Sequence, residues 1–182
     1  MKKLTILLFA LLITVGASAQ FHFGLKAGAN LATNNAEGSK MLFGFNAGAL
    51  AQYKFANFAV QPEVLFSMRG AAQDEGDAKF KTNYIDIPVM LQYYVIPGLA
   101  IEAGPQLGIL LSAKVSGGGE SEDFKEACNS IDFGLNFGAS YELPVFPLGF
   151  FARYNLGFTG LMKDVDDSAK HRVIQFGLFY KF

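Results

Sequence analysis

The chain has 182 residues, a formal net charge of −1 and a hydrophobic content of 51%. This charge excludes the strong electrostatic attraction on which nucleic-acid binding depends, so no nucleic-acid partner is expected. Charged residues make up only 17% of the chain, against about 25% in a typical soluble domain, which favours contact with lipid. The single Cys128 cannot form an intrachain disulfide. We expect an inert surface thiol there, with an intermolecular disulfide as the alternative.

The N-terminus has the pattern of an export signal. Lys2 and Lys3 precede an apolar run over residues 4–15, and Ala17-Ser18-Ala19 offers the small residues of a cleavage site. We therefore expect residues 1–19 to be a cleaved signal peptide and residues 20–182 to form one domain. The apolar run is shorter than the roughly 20 residues of a transmembrane helix. No later run reaches that length, so any membrane crossing has to be made by strands.

Alternation with a period of two begins directly after this segment. In residues 21–31, FHFGLKAGANL, the odd positions are apolar and the even positions are polar or glycine. The same alternation, which is typical of strands with two unlike faces, returns over residues 43–53, 58–69, 84–95, 99–112, 131–142, 150–160 and 173–182. None of the positions on the apolar faces is charged. The pattern predicts eight β-strands, each with one face that tolerates no charge.

The connections between these strands alternate in length. Three are short (residues 54–57, 96–98 and 143–149), and four are long and polar (residues 32–42, 70–83, 113–130 and 161–172). Outer-membrane β-barrels combine short periplasmic turns with long external loops. The sequence therefore predicts a closed eight-stranded antiparallel up-and-down barrel in the outer membrane of a Gram-negative bacterium, with both termini periplasmic. An aromatic girdle is expected near the short turns, made of Tyr53, Phe55, Phe58, Tyr93, Tyr141, Phe150 and Tyr180.

Side-chain size indicates which face points inward. The interior of an eight-stranded barrel is just wide enough to be filled by side chains. One face of the strands carries most of the phenylalanines, and the other carries many glycines. A soluble barrel of the lipocalin kind would need a charged exterior, which the glycine-rich face does not provide. We therefore predict that the phenylalanine face contacts lipid and the glycine-rich face lines the lumen.

The inward face also carries charges of both signs. The predicted polar network of the lumen consists of Lys26, Glu63, Arg69, Asp86, Glu102, Asp132, Glu142 and Arg153, with Lys181 and several Asn and Gln residues among them. Buried charges must be paired and hydrogen-bonded, and a nearly balanced set can satisfy this condition. The main hypothesis is a network that plugs the barrel. The alternative is a gated or narrow channel for ions or small solutes, although no ring of a single sign supports selectivity.

Several segments resemble the small outer-membrane β-barrel proteins of the Bacteroidetes, the PorT-like group. They are FGLKAGANLA (residues 23–32), VQPEVLFSMRGA (60–71), YIDIPVMLQYY (84–94), EAGPQLGILLS (102–112), FGLNFGASYEL (133–143) and RVIQFGLFYKF (172–182). The resemblance implies an eight-stranded barrel in the outer membrane. The terminal Phe182 is similar to the aromatic signal that the barrel assembly machinery reads. One branch of the group takes part in protein secretion, but nothing in this sequence assigns the chain to that branch.

Catalysis is not expected, and neither is a cofactor. Membrane hydrolases and acyltransferases usually need a His beside Ser or Asp. His22 is predicted at one end of the barrel, as an inward polar residue near the rim, and His171 at the other, as a solvated loop residue. Acidic clusters in two loops could bind Ca²⁺ or Mg²⁺ weakly and bridge to lipopolysaccharide phosphates, but solvated loops are the simpler reading. They comprise Glu120, Glu122, Asp123 and Glu126 in one loop, and Asp164, Asp166 and Asp167 in the other.

The function expected from these observations is that of a structural or partner-binding envelope component. The expected partners are membrane lipid and lipopolysaccharide, the barrel assembly machinery during biogenesis, and envelope proteins that the sequence does not identify.

Overall fold

A computed structural model describes residues 21–34, 39–73, 79–117, 120–123, 125–160 and 170–182. The predicted signal peptide and the acidic residues Asp164, Asp166 and Asp167 lie outside this part of the chain. Within it, no helix has the length and hydropathy needed to cross a membrane.

The structure is built from nine β-strands in the described ranges. They are β1 (Phe21–Asn34), β2 (Ser39–Phe55), β3 (Phe58–Gln73), β4 (Lys79–Ile96), β5 (Leu99–Gly117), β6 (Glu120–Asp123), β7 (Ile131–Glu142), β8 (Leu148–Gly160) and β9 (Lys170–Lys181). Each predicted strand coincides with one of the longer strands.

Eight of these strands close into an antiparallel barrel. Each pairs with the next along the chain, apart from the short β6, and β1 pairs with β9 from Gly24↔Lys181 to Asn34↔His171. Closure satisfies the backbone groups of both outermost strands, so the ring has no free edge. The predicted fold class is therefore confirmed.

Most strands run further than predicted at the end that carries the long loops, which we call the loop end. The longest, β5, has 19 residues, about 60 Å along the strand. Crossing a bilayer takes only about 9–11 residues. The extra length arises because ladder hydrogen bonds continue between polar neighbours above the apolar band, for example Lys81↔Lys114. Apolar alternation cannot reveal such an extension.

The segment predicted as one long loop, residues 113–130, is more ordered than expected. β5 continues to Gly117, and β6 pairs with it from Lys114↔Asp123 to Gly117↔Glu120. A single turn of 3₁₀-helix, Lys125–Ala127, follows. Cys128 is buried against Tyr84, Leu110 and Ala113. The expectation of a surface thiol was therefore wrong, because the strand extension covers this residue.

The opposite end, which we call the turn end, holds Phe21, Phe182 and three short connections. Residues 56–57 and 97–98 each join two strands directly, and residues 143–147 form a longer turn. Gly98 has φ 86°, and an added Cβ would lie 2.5 Å from the carbonyl oxygen of Glu142. A residue with a side chain would be strained at this φ and would clash with that oxygen, so glycine is required there.

The outward face is apolar and carries a belt of aromatic rings at the turn end. Ring centroids lie 4.6 Å apart for Phe21–Tyr53, 5.8 Å for Tyr53–Phe55, 6.0 Å for Phe55–Phe58 and 5.1 Å for Phe58–Tyr93. These contacts run along the wall from β1 to β4. The remaining predicted girdle residues, Tyr141, Phe150 and Tyr180, are also exposed. Such a belt is typical of a membrane–water interface.

Candidate functional site

The inward-facing charged residues meet inside the barrel. We call the charged side chains Lys26, Glu63, Arg69, Asp86, Glu102, Asp132, Glu142, Arg153 and Lys181, with the amides and hydroxyls that bond to them, the lumen network. All of these charged residues are buried except Glu142, which is partly exposed at the turn end. The alternation of each strand places them inward, and the ring of strands brings them together as three clusters along the barrel axis.

The middle cluster is centred on Arg153 of β8. Its two terminal nitrogens donate to the two carboxylate oxygens of Glu63 at 2.8 and 2.7 Å, and its Nε donates to Glu102. Lys26 Nζ lies 3.2 Å from both oxygens of Glu63. Two cations therefore face two carboxylates, and the cluster is neutral. Because β3 and β8 lie four strands apart in the ring of eight, the Arg153–Glu63 pair crosses the full width of the lumen.

Amide side chains complete the middle cluster. Gln61 donates to Glu63 at 2.7 Å, and Gln92 donates to Glu102 at 2.8 Å. Gln52 donates to the side-chain oxygens of both glutamines, at 3.1 and 2.6 Å. Each carboxylate thus has an amide donor as well as a cation. Buried ion pairs need such additional hydrogen bonds to offset the cost of desolvation.

A second cluster lies nearer the loop end. The Arg69 guanidinium donates to Asp86 and, at 2.8 Å, to Asp132. Gly108 pairs with both aspartates across the wall. Because Gly108 has no side chain, the Arg69 guanidinium can reach both aspartates. One guanidinium faces two carboxylates here, which leaves this cluster one negative charge in excess when both are ionised.

His171 was expected to be a solvated loop residue, and this was wrong. It lies in β9, is 2% exposed, and packs edge-on against Tyr84 with ring centroids 5.6 Å apart. The Tyr84 ring in turn lies 4.7 Å from the Arg69 guanidinium carbon. The extension of β9 beyond the apolar pattern carries His171 onto the inner face. His22 is half-buried near the turn end, as expected.

The third cluster lies at the turn end. Glu142 accepts hydrogen bonds from Lys181 and from the Tyr94 hydroxyl. Tyr94 also accepts a hydrogen bond from Gln52 at 3.1 Å, which links this cluster to the middle one. A continuous chain of polar contacts therefore runs from the middle of the lumen to its mouth.

Aromatic residues also line the lumen, and they were not among the predicted members of its network. Phe151 and Phe179 are buried together with Leu50, whereas the face that carries most of the phenylalanines was expected to contact lipid. Lys26 Nζ lies 3.7 Å from the centre of the Phe151 ring, and Lys181 Nζ lies 4.9 Å from that of Phe179. These rings contact the cations by their faces. The alternation of the strands could have revealed both residues, because each occupies an inward position of its strand.

The chemistry of this arrangement is that of a buried ionic core. Each charged residue of the lumen network has an ion-pair partner, whereas single buried atoms such as Asp86 Oδ2 and Asp132 Oδ1 have no hydrogen-bond partner among the described residues. No group of three or more His, Cys, Asp or Glu side chains among the described residues is placed to bind a metal ion. His22 and His171 lie towards opposite ends of the barrel. An apolar wall, an aromatic belt and a charged interior together define the class: a transmembrane β-barrel with a packed polar lumen.

Comparison with known proteins agrees with this class. The family described as "Outer membrane protein beta-barrel domain" matches residues 16–163, and the chain belongs to this family. It is therefore an outer-membrane protein of a Gram-negative cell. None of the curated proteins compared with it matches significantly.

Two solved structures show the same fold. The Neisserial surface protein A structure has a TM-score of 0.63 and 19% identity, covering 88% of this chain and 97% of its own. Ail, the attachment invasion locus protein of Yersinia pestis, has a TM-score of 0.52 and 19% identity, covering 90% of this chain and 99% of its own. At this identity the likeness concerns the fold alone.

Proposed function

We propose that this protein is a closed, non-enzymatic barrel that acts as a structural or partner-binding component of the outer membrane. The observation that carries the proposal is the Arg153–Glu63 contact across the whole lumen. A solute would have to break this bidentate pair to pass. Removing one partner of a buried pair costs about 3–5 kcal/mol, because the other charge is left uncompensated. A plugged lumen places any activity on the loops, the wall or the rim.

The proposal includes the partners and relatives expected from the sequence. Lipid and lipopolysaccharide surround the wall, and the barrel assembly machinery recognises Phe182 during insertion. Phe182 is 71% exposed and is tied to the wall by its N–H, which donates to the Phe23 carbonyl at 2.8 Å. We also propose membership of the PorT-like group. The extended loop end supports a partner-binding role, since β4, β5 and β6 form a sheet above the apolar band.

Conductance across a planar bilayer tests the closed lumen. We expect the purified, refolded barrel to show no steady single-channel current in 1 M salt, because the Arg153–Glu63 pair spans the lumen. A porin with an open channel, measured in the same bilayer, serves as the positive control. Reproducible steps of constant size in the wild-type protein would instead establish the narrow channel.

The orientation requires a separate test. We propose that the turn end faces the periplasm and the loop end faces outward. In a Cys128→Ser background, Lys125→Cys at the loop end should react with a membrane-impermeant maleimide on intact cells. Asn57→Cys at the turn end should react only after the outer membrane is permeabilised. Both side chains are exposed on the protein, so the labelling depends only on which side of the membrane each residue occupies. The opposite labelling pattern would reverse the orientation.

A further inference from the structure

A cavity of about 320 Å³ opens at the turn end of the barrel. Its floor consists of the inward-facing residues His22, Glu142, Phe179 and Lys181, and its wall is the turn formed by residues 143–147. We call it the turn-end cavity. It lies at the mouth of the lumen beyond the Arg153 cluster, to which Glu142 is linked through Tyr94 and Gln52.

The wall of this cavity is an unusual turn. The other two turns have two residues each, whereas this one has the sequence Leu-Pro-Val-Phe-Pro. It is held at both ends, because Leu143 N donates to Leu148 O at 2.9 Å and Lys181 N donates to Pro147 O at 2.8 Å. Val145 and Phe146 nevertheless remain 82% and 65% exposed. The turn therefore presents two apolar side chains from a fixed backbone.

The floor of the cavity carries an ion pair and a histidine beside the Phe179 ring. Lys181 and Glu142 form an ion pair, and 27% of the Glu142 side chain is exposed. His22 Nδ1 is buried and has no hydrogen-bond partner among the described residues. The floor thus offers one cation, one anion and one unpaired ring nitrogen. Lys54 also acts on this ion pair, and its Nζ lies 3.6 Å from the centre of the Tyr94 ring.

The cavity lies at the level of the membrane surface. The strands that border it carry the girdle residues Tyr141, Phe150 and Tyr180 on their outer faces. Val145 and Phe146 follow Tyr141 by only a few residues, at about 3.3 Å per residue. Aromatic girdles mark the head-group level, so the exposed apolar turn continues the lipid-facing surface at the rim.

We propose that the turn-end cavity binds the zwitterionic phosphoethanolamine head group of a phospholipid from the adjoining leaflet. The phosphate would contact Lys181 and His22, the ammonium would donate to the Glu142 carboxylate, and an acyl chain would lie over Val145 and Phe146. This inference rests on the proposed orientation, which places the turn end in the phospholipid leaflet. A choline head group lacks N–H donors for Glu142, and a glycerol head group lacks the cation.

Titration of the detergent-solubilised full-length mature barrel tests the proposal. The probes are short-chain phosphatidylethanolamine, phosphatidylcholine and phosphatidylglycerol with identical acyl chains. Binding of each lipid is measured by NMR of the Val145 methyl groups. We expect saturable 1:1 binding of the ethanolamine lipid, with the other two about tenfold weaker, since each loses a charge-assisted contact. Equal or non-saturable binding of all three lipids would overturn the proposal.

Variants separate the two parts of the site. The double variant Val145→Ser/Phe146→Ser should weaken binding of the ethanolamine lipid about tenfold, whereas Ile96→Ser should not. Ile96 is the matched control because it is 55% exposed at another turn of the same rim. Binding to these variants is measured by NMR of a second methyl probe, that of Leu143, which lines the cavity. Glu142→Gln should abolish the preference for ethanolamine over choline. Equal affinities of the double variant and Ile96→Ser would exclude the turn as part of the site.

A competition experiment identifies the source of the affinity. Glycerophosphoethanolamine, which has no acyl chains, should displace the lipid at high concentration, whereas no displacement would mean that only the acyl chains bind. Binding in detergent depends neither on orientation nor on conductance. A failed titration therefore rejects the cavity and leaves the closed barrel standing, while reversed maleimide labelling rejects only the cellular source of the lipid.

Discussion

Replacing Arg153 with methionine is expected to destabilise the folded barrel by about 3–5 kcal/mol. Among the described residues, the substitution leaves Glu63 with Lys26 as its ion-pair partner and leaves Glu102 with none. One buried carboxylate would then lack a cation in contact. Reversible urea unfolding in lipid vesicles, followed by the loss of heat-modifiable migration in gels, measures the change.

Two control variants assign the loss to charge rather than to packing. Arg153→Lys keeps the charge but loses the bidentate contact, so we expect an intermediate effect. The combined variant Lys26→Met/Glu63→Gln/Glu102→Gln/Arg153→Met removes two positive and two negative charges. It should recover most of the stability, because replacing a whole buried ionic set is often nearly neutral. If the combined variant were as unstable as Arg153→Met, the network would matter through its shape alone.

A lysine at the middle of the outer wall is expected to cost about 2–4 kcal/mol. Leu135 of β7 is the position of choice, since it is 39% exposed and pairs with Pro105 and Leu156 on either side. It lies six residues from the girdle residue Tyr141, or about 15 Å along the axis of a tilted strand. This distance is half of the hydrocarbon thickness of about 30 Å. Leu135→Lys therefore places its charge near the bilayer midplane.

The matched control is Tyr141→Lys on the same face of the same strand. At the membrane surface the ammonium group reaches water, and the expected cost falls to about 0–1 kcal/mol. Urea unfolding in vesicles compares the two variants directly. Equal costs at the two depths would contradict lipid contact along the wall of β7.

The strands and their faces could be predicted because lipid imposes a simple rule on each residue separately. An outward position in the apolar band tolerates no charge. The alternation in each strand's own sequence therefore shows which of its residues face outward. Ile131–Glu142 was predicted with its bounds unchanged. Beyond the band this rule ends, and the strands extend through Thr33, Lys81 and Lys114, which no apolar pattern marks.

The same limit explains the misplaced residues. His171 and Cys128 follow no apolar alternation, and their burial depends on neighbouring strands that continue above the membrane. Phe151 and Phe179 were hidden for another reason. The face that carries most of the phenylalanines was predicted to contact lipid, whereas these two rings occupy inward positions and contact lysine side chains. A residue's type was a weaker guide than its place in the strand.

The sequence by itself determined that eight strands close with a charged, glycine-rich interior, since parity, side-chain size and the absence of charge from one face are properties of each strand alone. Which charges pair was decided only by the tertiary structure. Glu63 and Arg153 are 90 residues apart, and nothing local marks them as partners. They meet because closure sets β3 opposite β8 and the register brings both side chains to the same height. The turn-end cavity has the same origin, since its walls come from β1, β7, β8, β9 and one turn.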